Sequence, residues 1–142
     1  MLKEITFINF RCFERHAVPL DAITIAVGQN NAGKSTFVGG LRLIALVRER
    51  FRNLNFNAPP KWLSLPSWYR GVSPSVENLN INFPTICYRY GDPPAQVAAI
   101  FENDCKIEVY LHLKAAYMPC FMVLRITSSI PKPRRAKLPT VD

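Results

Sequence analysis

The chain opens with alternating apolar and polar residues, the period of a strand that has one buried face. Residues 2–13 read LKEITFINFRCF and carry this alternation most clearly. Residues 15–21 continue as a second extended segment, in which Pro19 suits an edge position because proline donates no hydrogen bond to a neighbouring strand. Residues 22–27 (AITIAV) are short, apolar and β-branched, which predicts a central strand covered on both faces. The pattern therefore predicts a β-hairpin or meander followed by a central strand.

From Lys34 to about Arg52 the apolar residues recur at helical spacing, which predicts a largely buried helix. The apolar positions of this segment are Phe37, Val38, Leu41, Leu43, Ile44, Ala45, Leu46 and Val47. Gly39 and Gly40 lie in its second turn, where each glycine costs about 1 kcal/mol relative to alanine. Either close packing against a sheet or a simple weakening of the helix would account for this pair.

Residues 53–80 are rich in asparagine, proline, serine and aromatic residues and keep no sustained period, which predicts a loop or insert. The aromatic and basic side chains of this segment include Lys61, Trp62, Trp68, Tyr69 and Arg70. Such side chains together can stack on nucleic acid and bind its backbone. Packing of the loop onto the body of the protein is the alternative, and we favour it.

Strand character returns after residue 80. Four segments are β-like, at residues 81–90, 96–103, 106–114 and 120–127. The turn between the second and the third of them has suitable chemistry in Glu102, Asn103 and Asp104. The region 81–127 is therefore predicted to form an antiparallel meander. Residues 128–142 follow as a basic tail, which is either solvated or in contact with nucleic acid.

Residues 28–35 (GQNNAGKS) satisfy the pattern G-x-x-x-x-G-K-[S/T] and lie between the predicted strand and the predicted helix. Gly28 and Gly33 permit backbone angles and a close approach that a Cβ atom would block. The backbone N–H groups between them turn inward and form an anion-binding nest. Those groups belong to Gln29, Asn30, Asn31 and Ala32. The positive end of the following helix acts at the same point, so the segment predicts a nucleotide-phosphate site.

The side chains after the second glycine supply the rest of this predicted chemistry. Lys34 is a point charge for the β- and γ-phosphates, and it is the predicted catalytic residue. Ser35 supplies a hydroxyl to Mg²⁺, and Thr36 can bind a further phosphate oxygen. The predicted cofactors are therefore ATP and Mg²⁺, with Ser35 as the metal-binding side chain.

Two segments of the chain resemble a known family. The opening strand ends in the pattern I-x-N-F-[R/K]-x-F, and the phosphate loop has the form G-x-N-x-[A/S]-G-K-S-[T/N]. The first pattern is matched by Ile8, Asn9, Phe10, Arg11 and Phe13, and the second by residues 28–36. Over residues 1–47 the sequence resembles the amino-terminal portion of ABC-type ATPases of the AAA family, in the group that includes RecF, SMC-like heads and the OLD nucleases.

The resemblance implies an α/β fold of the P-loop NTPase type, namely the first lobe of an ABC-ATPase head with an antiparallel β meander. It implies that Arg11 lies near the base or ribose of the nucleotide, whereas a solvent-facing strand residue is the alternative for that position. It implies DNA as a partner in the full-length context, in DNA repair, DNA-end processing or phage defence. It also implies a head-to-head homodimer or a missing carboxyl-terminal lobe. The residues implied to bind MgATP are Gly28, Asn30, Gly33, Lys34, Ser35 and Thr36.

Hydrolysis of ATP needs a carboxylate that holds Mg²⁺ and a group that orients water. In P-loop proteins this carboxylate is an Asp that ends an apolar run. The acidic residues after residue 36 are Glu49, Glu77, Asp92, Glu102, Asp104, Glu108 and Asp142. None of the three aspartates follows four consecutive apolar residues, and Glu102, which does, is a glutamate. The serine-glycine signature and the late switch histidine of the family have no match either. We therefore expect ATP binding with negligible hydrolysis.

These features divide residues 1–142, a single amino-terminal P-loop ATPase lobe, into four parts. Residues 1–52 hold the strands, the P-loop and the helix, residues 53–80 the loop or insert, residues 81–127 the antiparallel strands and residues 128–142 the basic tail. We expect this lobe to be the front portion of a longer ATPase, as a truncated gene, a fragment or one piece of a split protein.

The net charge of +8 favours anionic partners such as nucleic acid or nucleotides, although a soluble basic surface is equally consistent with it. A non-catalytic nucleotide- or nucleic-acid-binding module is thus the alternative function. No apolar run approaches the roughly 18 residues of a membrane span, so we expect a cytoplasmic protein with no membrane partner. The four cysteines form no CxxC pair, and we expect neither a thiolate metal site nor disulfides.

Overall fold

The structure is a computed structural model that describes residues 1–76, 82–112 and 120–126. Its strands are β1 (Leu2–Phe10), β2 (Phe13–Pro19), β3 (Ala95–Phe101), β4 (Cys105–Leu111) and β5 (Cys120–Ile126), and helix α1 spans Lys34–Arg50. The strands form one antiparallel sheet in the order β2-β1-β3-β4-β5. Within the described residues, no helix has the length and apolar character needed to cross a membrane. The fold is therefore α/β, with an antiparallel five-stranded sheet.

The predicted amino-terminal hairpin is confirmed. Strands β1 and β2 pair antiparallel from Phe10 opposite Phe13 to Glu4 opposite Pro19. The alternation along β1 places Ile5 and Phe7 in the core with no exposed surface. Strand β2 lies at the edge of the sheet, which is where its terminal proline is tolerated.

The predicted central strand at residues 22–27 is wrong. Among the described residues this segment pairs with no strand, and its apolar side chains face solvent. Ile23, Ile25 and Val27 are 84%, 79% and 83% exposed. The apolar pattern misled because a strand also needs neighbouring strands for its backbone hydrogen bonds, and none of the five described strands pairs with this segment.

The predicted helix is confirmed as α1, which is followed by a single 3-10 turn at Phe51–Asn53. It is not largely buried, because only one stripe of the helix packs on the sheet and Val38 is 43% exposed. The buried stripe consists of Thr36, Gly40, Leu43, Ile44 and Val47. A Cβ atom on Gly40 would overlap the ring of Phe7, so this glycine allows the helix to approach β1 closely. Gly39 has no such neighbour, so close packing explains only the second glycine of the pair.

The carboxyl-terminal strands are largely confirmed. The segments predicted at 96–103, 106–114 and 120–127 overlap β3, β4 and β5, of which β3 and β4 each begin one residue earlier than predicted, although residues 113–114 and 127 lie outside the described residues. The turn at residues 102–104 is also confirmed, with the Asp104 amide donating to the Phe101 carbonyl at 3.1 Å. The basic tail at 128–142 lies outside the described residues as well.

The strand predicted at residues 81–90 is wrong in its described part, because residues 82–90 form two short 3-10 turns at Phe83–Thr85 and Tyr88–Tyr90. Two features of the folded chain oppose a strand here. Arg89 and Tyr90 have left-handed backbone angles, with φ of 49° and 56°. The side-chain oxygen of Asn9 accepts a hydrogen bond from the Tyr88 amide at 3.1 Å, so this amide does not donate to a neighbouring strand.

The core lies on both faces of the sheet. The larger cluster fills the space between α1 and one face, and its fully buried members include Phe7, Val97 and Val109. A smaller cluster on the other face packs part of the loop at 53–76 against β4 and β5. Its buried members are Leu63, Tyr110, Phe121 and Val123, with Trp62, Leu65 and Tyr69 packed against them. The favoured packing role of this loop is thus confirmed for Trp62 and Tyr69, whereas Trp68 is 77% exposed.

Candidate functional site

The predicted phosphate loop forms a tight corner directly before α1. The chain turns at residues 29–32, where the Ala32 amide donates to the Gln29 carbonyl at 3.2 Å. Asn31 and Gly33 adopt left-handed backbone angles, with φ of 70° and 88°. The Phe37 amide then donates to the Gly33 carbonyl at 2.8 Å, which starts the helical hydrogen bonding. The loop therefore ends on a helix amino terminus, where backbone N–H groups are free to bind an anion.

Gly33 is fixed by its neighbours as well as by its backbone angle. A Cβ atom at this position would lie 2.6 Å from Cζ of Phe13 and 3.2 Å from Sγ of Cys12. The loop thus rests on the turn between β1 and β2, at a distance that no other residue permits. Close packing on Phe13 and Cys12 thus accounts for this glycine, and its role toward a phosphate stays a prediction.

Lys34 folds back over the loop that precedes it. Its Nζ atom donates to the carbonyl oxygens of Gly28 and Gln29, the latter at 2.7 Å. Ser35 is exposed beside it, whereas Thr36 is only 8% exposed. The Thr36 hydroxyl accepts a hydrogen bond from the thiol of Cys12 at 3.5 Å. In the first turn of α1, Lys34 therefore presents an ammonium group to the loop and Ser35 an exposed hydroxyl. Thr36 is anchored on the hairpin by its hydrogen bond with Cys12.

Two cavities open on either side of Lys34 and Ser35. The first, here called the loop cavity, has a volume of about 420 Å³ and is lined by Cys12, Asn30, Asn31, Gly33, Lys34, Ser35 and Thr36. The second, here called the helix cavity, has a volume of about 430 Å³. It is lined by Phe10, Arg11, Lys34, Ser35, Val38, Gly39, Arg42, Leu43, Asn82 and Ile86. Lys34 and Ser35 line both cavities.

The structure brings most of the predicted site residues together. Six of them line the loop cavity or its rim, while Gly28 and Ala32 form the backbone of the loop itself. Arg11 does not reach the loop cavity and lies instead in the helix cavity, with Lys34 and Ser35. It occupies the turn after β1 and is exposed there, so its predicted place on the opening strand is wrong, whereas its place near the base or ribose stays a prediction.

The sequence analysis missed two residues that shape the site. Arg42 lines the helix cavity, and its signal was the helical spacing of Lys34, Val38 and Arg42, which puts them on one face of α1. Asn9 is the other residue, which the sequence analysis named only as part of the family pattern and gave no structural role. Its side-chain amide donates to the carbonyls of Asp92 at 2.7 Å and Pro94 at 3.1 Å, so it ties the end of β1 to the segment before β3.

The electrostatics of the two cavities favour anions. Arg11, Lys34 and Arg42 contribute positive charge, and among the described residues no aspartate or glutamate lines either cavity. Ion pairs of the described residues lie elsewhere, between the terminal amine and Glu102 and between Lys106 and Glu108. Within the described part of the chain, no three His, Cys, Asp or Glu side chains are grouped to hold a metal ion. A polyphosphate that brings its own Mg²⁺ fits this donor set.

A comparison with models of protein families identifies the family of the chain. A family model described as AAA ATPase domain matches residues 1–114 of the 142. The chain therefore belongs to the AAA ATPase domain family, and this membership indicates ATP binding. Comparison with curated proteins gives no match.

Proposed function

We propose that the chain binds MgATP through residues 28–36 as the amino-terminal part of an ABC-type ATPase of the RecF, SMC and OLD group. In this proposal the protein acts in DNA repair, DNA-end processing or phage defence. The observation that carries the proposal is the position of the Lys34 ammonium, held by the Gly28 and Gln29 carbonyls at a loop-to-helix corner. Membership of the AAA ATPase domain family supports the nucleotide, and the opening I-x-N-F-R-x-F pattern supports the narrower group.

The roles of the residues follow from their chemistry. The backbone amides of the loop, with those of Gly33 and Lys34, bind the phosphates at the positive end of α1. Lys34 neutralises charge on the β- and γ-phosphates, and Ser35 binds the Mg²⁺ that arrives with the nucleotide. Thr36 binds a further phosphate oxygen from its buried position. Bound Mg²⁺ supplies charge stabilisation to the phosphates.

Hydrolysis by this chain alone is expected to be negligible. A carboxylate must hold Mg²⁺ from its outer coordination sphere, and another group must orient the attacking water. Among the described residues, both cavities are free of aspartate and glutamate. In the proposed family the remaining groups come from a carboxyl-terminal lobe or from the second head of a homodimer, and DNA is the expected partner of that assembly.

The experiment is a pair of measurements on the wild-type chain and Lys34→Ala. Titration calorimetry with MgATP is expected to give a binding isotherm for the wild type that is lost in the variant. Phosphate release, measured with and without DNA, is expected to stay at background in both proteins. Robust turnover by the wild type that disappears in Lys34→Ala would contradict the expectation that this chain alone does not hydrolyse ATP, and an absence of nucleotide binding would contradict the whole proposal.

A second candidate is a non-catalytic nucleic-acid-binding module, which one observation favours. Trp68 is 77% exposed, its ring lies 6.3 Å from that of Tyr69, and Arg70 follows directly. An exposed aromatic ring beside a cation is a platform on which a base can stack. Binding of single-stranded DNA that weakens in Trp68→Ala and is unchanged in Lys34→Ala would favour this candidate.

The basic tail at residues 128–142 is either a nucleic-acid contact or a solvated segment. Removal of residues 131–142 is expected to reduce the salt dependence of DNA retention if the tail contacts phosphates, because each contact releases counterions. An unchanged salt dependence would leave the tail as a solvated segment.

A further inference from the structure

A third cavity lies away from the phosphate loop, between the second half of α1 and the sheet. It has a volume of about 670 Å³ and is here called the sheet cavity. Its apolar walls include Leu41, Ala45 and Phe51 on the helix side and Phe101, Ile107 and Leu124 on the sheet side. A cavity of this volume with mostly apolar walls is typical of sites for small molecules.

The cavity exists because one helix is too narrow to cover five strands. Strands lie about 4.8 Å apart, so the sheet is roughly 20 Å wide, whereas a helix with its side chains measures about 10–12 Å. Helix α1 lies over β1 through Gly40 and over β3, where Arg48 is 5.6 Å from the ring of Phe101. Ile107 of β4 and Leu124 of β5, which lie opposite each other, continue the apolar face beyond the helix. Because Leu124 is 38% exposed, an apolar group in the cavity would remove further apolar surface from water.

The charges that line the sheet cavity are unbalanced. The terminal amine and Glu102 form an ion pair at 3.0 Å, so these two charges offset each other. Arg48 and Arg52 also line the cavity, about one turn apart at the end of α1 and in the 3-10 turn that follows, and both are exposed. Among the described residues, no further aspartate or glutamate lines this cavity. An apolar interior therefore lies beside two positive charges.

We propose that the sheet cavity binds a free long-chain carboxylate, such as a fatty acid. Its acyl chain lies between α1 and strands β4 and β5, and its carboxylate lies on Arg48 and Arg52. Guanidinium groups match the geometry of a carboxylate and bind it through two hydrogen bonds at once. A small anion without a chain would leave Leu124 exposed, and a neutral apolar molecule would leave both arginines without an anion. The inference is independent of the proposed function, because among the described residues the sheet cavity shares no lining residue with the loop and helix cavities.

The cysteines of the chain report on occupancy of this cavity. Cys105 lines the sheet cavity and is partly exposed, whereas Cys12 is exposed at the loop cavity. Cys87 and Cys120 are buried. Iodoacetamide alkylates accessible thiols, and mass spectrometry of the peptides measures each cysteine separately. A molecule bound in the sheet cavity is therefore expected to slow the alkylation of Cys105 and leave that of Cys12 unchanged.

The test uses dodecanoate below the concentration at which it forms micelles, with protection of Cys105 as the readout. Dodecanol and dodecyltrimethylammonium carry the same chain with a neutral and a positive head, and each is expected to bind at least roughly tenfold more weakly. In the double variant Arg48→Gln with Arg52→Gln, dodecanoate is expected to fall to the affinity of dodecanol. Arg15→Ala is the matched control and is expected to bind as the wild type does, because it removes an exposed arginine from the edge strand β2, outside the cavity.

A second variant tests where the chain lies. Ala45 is exposed and lines the cavity, so Ala45→Phe fills the space without replacing a buried side chain. This variant is expected to lose the protection of Cys105 while circular dichroism shows that it remains folded. Protection that persists in Ala45→Phe would place the acyl chain elsewhere and overturn the inference.

Four further results would overturn it. Equal affinities for dodecanoate and dodecanol would leave the two arginines only as partners of the negative end of α1. Equal protection of Cys12, or alkylation of the buried Cys87, would indicate detergent action on the whole protein. Binding to vesicles of phosphatidylglycerol but not to monomeric dodecanoate would assign the surface to a membrane. No protection by any probe in the folded wild type would leave the cavity without a ligand of this class.

Discussion

Two apolar segments of similar length, residues 22–27 and strand β3 (Ala95–Phe101), end in opposite environments. Val97 and Ala99 of β3 have no exposed surface, whereas Val27 is 83% exposed. Strand β3 lies between two partners, with Val97 opposite Phe7 of β1 and opposite Val109 of β4. Residues 22–27 have the same β-branched character but no strand partner among the described residues. The comparison teaches that apolar character makes a buried strand only where neighbours satisfy its backbone.

The lack of pairing in residues 22–27 also affects how the phosphate loop is held in place. The loop follows the unpaired segment, so its position depends on contacts further along the chain. Gly33 packs on the ring of Phe13, and Thr36 bonds to Cys12, both at the turn of the amino-terminal hairpin. The α1 helix then fixes the loop from the other side through Gly40 and Phe7. The site is therefore anchored on the hairpin and the helix.

The sharpest test of the comparison truncates the same residue type in each segment. Val97→Ala removes buried surface and leaves a cavity, so it is expected to lower the free energy of unfolding by about 2–3 kcal/mol. Val27→Ala changes an exposed side chain and is expected to stay within about 0.5 kcal/mol of the wild type. Urea unfolding monitored by circular dichroism measures both. Equal losses for the two variants would show that residues 22–27 are packed like β3.

The two adjacent glycines of α1 offer a second matched pair. Gly40→Ala places a methyl group on the ring of Phe7 and is expected to cost about 1–3 kcal/mol of stability through overpacking. Gly39→Ala meets only the distant guanidinium of Arg11, so it is expected to stabilise the helix by up to about 1 kcal/mol. Thermal unfolding of both variants gives the sign of each change. The same sign for both would contradict the close approach of α1 to β1.

Much of this fold was readable from local pattern, because the relevant information lies within each segment. The alternation in β1, the helical spacing of α1 and the turn at residues 102–104 were each predicted where they occur. The tight corner around Gly33 was also predicted, since the glycines and the lysine carry its chemistry in their own positions.

The missed features depend on contacts between distant parts of the chain. The exposure of Ile25 depends on the absence of strand partners in the described residues, which no local pattern records. The turns within residues 82–90 depend on the Asn9 side chain, which captures the Tyr88 amide from 79 positions away. Arg42 joins Arg11 in one cavity only because the hairpin turn folds over α1. Contacts of this kind join residues that are far apart in the sequence, so they can be read only from the folded structure.

The smallest expected effect concerns two cysteines, Cys120, which is buried in the sheet, and Cys12, which is exposed. Burial raises the pKa of the Cys120 thiol in β5 from 9.0 to about 12. Below pH 9 the thiol is protonated in both states, whereas between pH 9 and 12 the unfolded chain loses a proton that the folded chain retains. The free energy of unfolding is therefore expected to fall by about 1 kcal/mol per pH unit in this window from Cys120 alone.

The measurement compares urea unfolding at pH 8, 9 and 10 (roughly spanning the start of that window) for the wild type and Cys120→Ala. The variant is expected to lose less stability above pH 9 than the wild type. Cys12→Ala is the matched control, because that thiol is exposed beside the loop. Parallel pH profiles for the wild type and Cys120→Ala would contradict the burial of this thiol.

The central claim is that the backbone amides at the start of α1 bind the phosphates of MgATP. The most direct test is a titration of the ¹⁵N-labelled chain with MgATP, followed through the amide resonances. The account predicts the largest shifts at Gly33, Lys34 and Ser35, with little change in β5, and no such shifts in Lys34→Ala. A folded wild-type chain whose loop amides do not respond to saturating MgATP, or whose largest shifts lie on the far strands of the sheet, would contradict it.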